Sequence, residues 1–240
     1  MTSVLFTQNP LMEVNVMKVG VEQTPIIVID NFATNLDDIK KFAKSQAVYS
    51  PDTDTLYPGI RSPLPEPYII KLLQAIYQPL YGIYGIDLSK RLKPLNSFFS
   101  LLTLPPEDLH LLQRMPHFDT NNQYCFAVLH YLSNGQHGGT GLYRHKPTQF
   151  ERITDKRYEH YINSAKQFIQ TNGEPAQGYI TTSTDHFEKY YEVKYKPNRL
   201  VIYPSNLLHS VNVDKERDLS SDPEEGRLTA NIFIEFKELT

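Results

Sequence analysis

RLTANIFIEF (residues 227–236) decides how the chain is read. Side chains of a β-strand alternate between two faces. Arg227, Thr229, Asn231 and Phe233 therefore share one side, and Leu228, Ala230, Ile232 and Ile234 share the other. The second face is wholly apolar and belongs against a core. The first begins polar and suits the wall of a cavity that holds a charged ligand, because a guanidinium grips a carboxylate through two parallel hydrogen bonds. Arg227 is thus a candidate anion-binding residue, although the charged loop before it, DKERDLSSDPEEG (214–226), makes a solvated arginine equally ordinary.

Upstream of this strand, from about residue 92, other short runs of strand formers are separated by turns: NSFFSLLTL (96–104), FAVLHYLS (126–133), GTGLYRHK (139–146), YYEVKYK (190–196), RLVIYP (199–204) and HSVNV (209–213). Such a series predicts a sandwich or barrel. Residues 148–188 interrupt it, with a polar, helical middle (KRYEHYINSAKQFIQTN) that reads as a lid or as a solvated excursion. The first third is different. TPIIVIDNF (24–32) is a short β-branched run. Thr34 or Asn35 then caps a helix to about Ala47, with Asp37 and Asp38 in the favourable first turn and Leu36, Ile39, Phe42 and Ala43 on one face. YSPDTDTLYPGIRSPLP (49–65) is too rich in turn formers for extended regular structure, and a second helix is predicted over 66–78 with Ile69, Leu72, Leu73 and Ile76 inward. No linker composition separates the parts. One unit over 1–240 is expected, with a strand and helical support in 1–91 and the β core in 92–240.

Composition removes several classes of function. A net charge of −3 over 240 residues gives no general attraction to nucleic acid or anionic lipid. Cys125 is the only cysteine, so no intrachain disulfide or multi-thiolate zinc site can form. It lies in the apolar run QYCFAVLHYLS and reads as a small buried hydrophobe. The N-terminal stretch has no basic region followed by an apolar one, and no segment approaches the roughly 20 apolar residues of a membrane span. A soluble cytoplasmic protein is expected, with a small-molecule or peptide partner, no nucleic acid or membrane, and a homodimer as one possible assembly.

The chemistry-bearing residues are His117 and Asp119 in MPHFDT and His209 in YPSNLLHSVNV. With 8 His and 27 acidic residues, roughly one His-x-[Asp/Glu] is expected by chance. Two occur, His117-Phe118-Asp119 and His186-Phe187-Glu188. Either pair could present both side chains on one face of a strand. The third ligand separates them: several strands fit between Asp119 and His209, whereas Glu188 precedes His209 by about two strands' worth and reads as surface or turn chemistry. Singly, His117 is an ordinary loop histidine, Asp119 a turn opener and His209 a satisfied core residue. Together, two imidazoles and a carboxylate on one side of a metal suit Fe(II), because they leave positions open for substrate and oxygen. A zinc hydrolase uses the same donors but does not account for an arginine on the next strand. In FAVLHYLS, Ala127, Leu129 and Tyr131 share a face, so Tyr131 can add a hydroxyl to the same anion while His130 points away as a structural residue.

HFD (117–119), the strand ending HYLS (130–133), HGGTGLYRH (137–145), KPNRLVIYPSNLLHSV (196–211) and RLTANIFIEF (227–236) resemble the catalytic core of the prolyl-4-hydroxylase-like branch of the 2-oxoglutarate/Fe(II) oxygenases, and the chain is similar to bacterial members of that superfamily. The resemblance covers about 114–236. It implies a mainly β fold with flanking helices, a cupin-like double-stranded β-helix (jelly roll) supported by N-terminal helices. It implies that His117, Asp119 and His209 ligate iron, that Arg227 holds the distal carboxylate of 2-oxoglutarate, and that Tyr131 assists. The implied reaction uses O2, yields succinate and CO2, and hydroxylates a small-molecule, amino-acid or peptide substrate. The 148–188 insertion and the 49–65 stretch depart from the common core, so peptidyl proline does not follow as the substrate. Tyr143, Arg144, Tyr57 and Arg61 are candidates for facing it, with packing or surface roles as the alternative. Two rival functions share the fold: a non-catalytic metal or carboxylate binder, and a cupin-type metal-dependent hydrolase or isomerase.

Overall fold

The computed structural model describes residues 5–52 and 55–238. Thr53 and Asp54 of the turn-rich stretch lie outside them. The elements in chain order are β1 (Glu13–Val19), β2 (Thr24–Asp30), α1 (Leu36–Ser45), β3 (Ser50–Pro51), β4 (Gly59–Pro63), α2 (Glu66–Tyr84), β5 (Lys90–Leu102), β6 (Cys125–Tyr131), β7 (Thr140–His145), α3 (Asp155–Asn172), β8 (Phe187–Val193), β9 (Leu200–Pro204), β10 (His209–Val211) and β11 (Thr229–Glu238). Two sheets form from them, a large one in the order β1-β2-β9-β6-β11-β5-β4-β3 and a small one in the order β10-β7-β8. All the pairings are antiparallel. This is the expected mainly β jelly roll, supported by the N-terminal helices α1 and α2.

Strand alternation builds three layers. The apolar face of β11, Ala230, Ile232 and Ile234, joins Phe99 and Leu101 of β5, Phe126 and Val128 of β6 and Ile202 of β9 in a core roofed by α1 and α2 through Ile39, Ala43, Tyr68, Leu72, Ile76 and Leu80. The opposite faces, including Ala127, Leu129 and Tyr131 of β6 and Val201 and Tyr203 of β9, meet Leu142 and Val193 of the small sheet. His130 falls on the helix side as alternation requires. It is buried, and its Nδ1 lies 2.7 Å from Tyr68 Oη.

Several boundaries differ from expectation. Helix α2 runs through Pro79 to a left-handed Gly85 (φ 62°) instead of stopping near 78. Burial of Leu80 one turn beyond Ile76 outweighs the one backbone bond a proline removes. Strand β5 begins at Lys90, where its exposed half pairs with the far end of β11. Strand β1 was not anticipated, because its valines 14 and 16 point outward on a sheet edge. Asn35 takes the N-cap position of α1 but spends its Oδ1 on the Thr7 amide at 2.7 Å. The 148–188 insertion lies across the outer face of the small sheet, with Ile153, Tyr161 and Ile180 packed on Tyr143, Phe187 and Leu208. The turn-rich 49–65 stretch forms β3 and β4 and extends the large sheet past β5.

Candidate metal centre

His117 and Asp119 follow a short 3-10 turn (Leu111–Arg114) and are held by backbone pairing instead of a long strand. The His117 amide donates to the His209 carbonyl at 2.9 Å, the His209 amide returns the bond at 2.8 Å, and the Asp119 amide donates to the Ser205 carbonyl at 2.8 Å. This stitching sets the three side chains side by side. One ligand-capable atom from each of His117, Asp119 and His209 lies within 4.8 Å of the others. Asp119 Oδ1 is 3.9 Å from His117 Nε2 and 3.8 Å from His209 Nε2. His209 Nδ1 donates to the Leu207 carbonyl at 2.8 Å, which leaves the lone pair on Nε2 facing the group.

The electrostatics suit a cation. Enclosure by protein, then His209 and Arg61, hold His117 well below the usual histidine range. Its side chain is 56 % exposed and lines a cavity, and the downward shift favours the neutral imidazole, the form that can ligate a metal. Burial pushes the Asp119 carboxyl upward, against the opposing pull of His209. A metal ion between these donors would return the carboxylate to its charged form and use both lone pairs.

Arg227 is buried just ahead of β11. Its Nε donates to the Gly138 carbonyl at 2.6 Å, and its guanidinium carbon is 5.3 Å from the centre of the Tyr131 ring. The Gly138-Gly139 pair earns its place sterically, since a Cβ at either position would collide with the carbonyl of Asn212 or Val193. Asp218 secures the turn by accepting from the Gly138 amide at 3.1 Å and pairing with His137 at 2.9 Å. Among the described residues no carboxylate forms an ion pair with Arg227. Tyr131 does not present its hydroxyl to the cavity as expected: Oη sits 2.8 Å from Thr140 Oγ1 and the ring stacks on Tyr195. It braces Arg227 from behind.

His117, Asp119, His209, Arg227, Thr140, Tyr203, Thr229 and Asn231 all line one cavity of about 120 Å³ between the sheets. Of the residues expected to face a substrate, Tyr57 and Arg61 line it. Tyr143 and Arg144 do not: Tyr143 is fully buried under the insertion, and Arg144 pairs with Glu151 at 2.6 Å and Glu188 at 2.7 Å. The rival His186 is not surface chemistry either. It is buried, with Nε2 2.9 Å from His145 Nε2. Thr140 and Tyr203 were missed. Alternation in RLVIYP, which puts Val201 and Tyr203 on the side of β9 opposite Leu200 and Ile202, was the signal for the second.

The arrangement defines a jelly-roll protein with a facial two-histidine, one-carboxylate cavity backed by a buried arginine. The chain belongs to the family of unknown function DUF6445, whose model matches residues 10–234. No curated protein matches it. Among solved structures it is similar to HygX from Streptomyces hygroscopicus with nickel and 2-oxoglutarate bound, at 14% identity and TM-score 0.50 over 90% of this chain and 87% of that one. EctD from S. alaskensis with bound Fe aligns at 11% identity and TM-score 0.40 over 98% and 88%. AviO1 from Streptomyces viridochromogenes Tue57 aligns at 11% and 0.39 over 96% and 90%. At the identity with HygX, what is shared is the fold. No helix among the described residues is long and apolar enough to cross a membrane.

Proposed function

We propose that this protein is an Fe(II)- and 2-oxoglutarate-dependent dioxygenase that hydroxylates a small substrate, with His117, Asp119 and His209 as the iron ligands. Arg227 carries the reading beyond metal binding. A buried guanidinium without a carboxylate partner costs stability unless an anion completes it, and it opens on the same cavity as the triad. A dicarboxylate that reaches both ends satisfies the metal and the arginine together, and HygX, a structural neighbour, was solved with nickel and 2-oxoglutarate bound.

Bound iron with 2-oxoglutarate would supply oxidative decarboxylation to succinate and CO2 coupled to C–H oxidation by O2. The chain's own residues do the positioning. Leu207 fixes the tautomer of His209. Gly138 and the Tyr131 ring orient Arg227. The cavity lies between the sheets and is lined by the three candidate ligands and Arg227 together. A zinc hydrolase accounts for the triad and leaves Arg227 unexplained; a non-catalytic binder accounts for both and differs only in turnover. Prolyl-4-hydroxylase-like describes the motif order and not the substrate.

The test is anaerobic addition of Fe(II) and 2-oxoglutarate to metal-free protein. A visible charge-transfer band is expected, absent in His209→Ala. A wild-type protein that takes up neither metal nor 2-oxoglutarate would sink the proposal. Succinate release in air, measured with candidate substrates, then separates an oxygenase from a binder.

A further inference from the structure

Among the described residues, three buried polar atoms of residues lining this cavity have no partner at hydrogen-bond distance: Arg61 Nε, Asn231 Oδ1 and Tyr57 Oη, the last with Ser100 nearby. Native proteins pair nearly all such groups, so three around one cavity point to a ligand. The three residues form one patch. Arg61 of β4 sits opposite Ser100 of β5, which sits opposite Thr229 of β11. Asn231, next along that face of β11, donates Nδ2 to Ser100 Oγ at 2.8 Å, which leaves its Oδ1 unused. The Arg61 guanidinium is sandwiched, its carbon 4.1 Å from the centre of the Tyr57 ring and 5.1 Å from that of Phe98.

The orientation of Arg61 selects the ligand chemistry. Nη1 is taken by Asp52 at 2.6 Å and by Thr55 Oγ1 at 3.3 Å. What remains is the side edge of Nε–H and Nη2–H, the fork that matches a carboxylate with two parallel bonds. Tyr57, Arg61 and Asn231 line the same cavity as His117, Asp119 and His209, which puts the patch beside the candidate metal ligands. Asn231 Oδ1 accepts only, so it calls for an N–H or O–H on the ligand. A cavity of about 120 Å³ lies below the roughly 300–1,000 Å³ of sites for drug-sized molecules, which restricts the ligand to a small one.

We infer that Arg61, with Asn231 and Tyr57, is the substrate subsite, and that it takes a small organic acid carrying an amino or hydroxyl group next to its carboxylate. The two arginines of the cavity divide the work: Arg227 holds the co-substrate and Arg61 the substrate. The oxidative fate of this acid rests on the proposed dioxygenase function; its binding does not.

The test is calorimetric titration of the nickel-loaded protein, with and without saturating 2-oxoglutarate, against the proteinogenic L-α-amino acids and their 2-hydroxy counterparts, followed by the carboxamides of those that bind. At least one acid should bind, and its carboxamide should bind at least tenfold more weakly. Arg61→Lys keeps a cation for Asp52 but lacks the fork, and should weaken the acid at least tenfold while the Kd for 2-oxoglutarate stays within threefold. Asn231→Ala, which leaves the Arg61–Asp52 pair untouched, should weaken the same acid at least threefold. Melting curves confirm that each variant is folded. The inference is overturned if no acid binds, if acid and carboxamide bind alike, or if Arg61→Lys costs 2-oxoglutarate more than tenfold, which would give Arg61 to the co-substrate. Wild-type protein that binds an acid through Arg61 yet ignores 2-oxoglutarate would leave the subsite standing and remove the oxygenase.

Discussion

Two histidine pairs in this fold look alike by proximity and differ in everything that matters for chemistry. The rings of His117 and His209 have centroids 4.3 Å apart, and those of His145 and His186 are 4.8 Å apart. In the first pair the free Nε2 atoms converge on the Asp119 carboxylate at the edge of a cavity. In the second, the two Nε2 atoms meet each other at 2.9 Å, His145 Nδ1 is engaged by Thr148 Oγ1 at 2.7 Å, and His186 stacks on Phe168 at 4.0 Å. The nearby Glu188 is turned to Arg144. A metal centre needs convergent lone pairs, a carboxylate and room; close imidazoles alone make a core contact.

The sharpest way to break this contrast is metal titration of two variants. His209→Ala should lose at least a hundredfold in affinity for Ni(II) or Fe(II), while His186→Ala should stay within threefold of wild type. Equal losses would put the metal elsewhere. The next largest effect concerns the anion: Arg227→Ala should weaken 2-oxoglutarate by at least tenfold, read by calorimetry on nickel-loaded protein, with metal affinity retained.

The buried pair should reveal itself in stability instead. Removing a buried ring leaves a hole and an unpaired nitrogen, so His186→Ala should cost about 2–4 kcal/mol in chemical denaturation. Burial holds His186 down to about 4, and burial together with His186 and His160 holds His145 low as well. Both are neutral when folded and take up protons more readily when unfolded. Their contribution is therefore full above about pH 6.5 and is lost as pH falls toward 4. Wild type should lose stability across that window, and His186→Phe should lose less. The smallest effect is predicted for Tyr131→Phe, which forfeits the Thr140 contact: about 1 kcal/mol of stability and a few-fold in 2-oxoglutarate Kd.

How far these features were legible in the sequence depended on whether they were local. Period-two alternation in RLTANIFIEF assigned both faces of β11 correctly, because a strand's side-chain direction is fixed by its backbone. It also put His130 away from the cavity and Arg227 toward it. Alternation did not say that the Tyr131 hydroxyl would be spent on Thr140, because that contact depends on how the small sheet packs against the large one. Tyr143 and Arg144 failed as substrate-facing residues for the same reason, since the insertion that buries one and pairs the other folds back from a distance. His186 and Glu188 read as surface or turn chemistry because of their short distance from His209, whereas Phe168 of α3 stacks on His186 and His145 meets it from the small sheet. Arg61 sat in a stretch read as turns, yet pairing with β5 carried it into the cavity.

The place of β11 in the large sheet has a consequence for how the protein is made. It follows the seven other strands of that sheet in the chain, yet lies between β6 and β5, joining β1-β2-β9-β6 to β5-β4-β3. While a ribosome is still extending the chain, those halves face each other across a missing ladder, each with an open edge that invites wrong partners. Arrival of this strand closes the gap and brings Arg227 to a cavity whose other arginine was synthesised far earlier. Completion of the large sheet and completion of the cavity wall are thus one event.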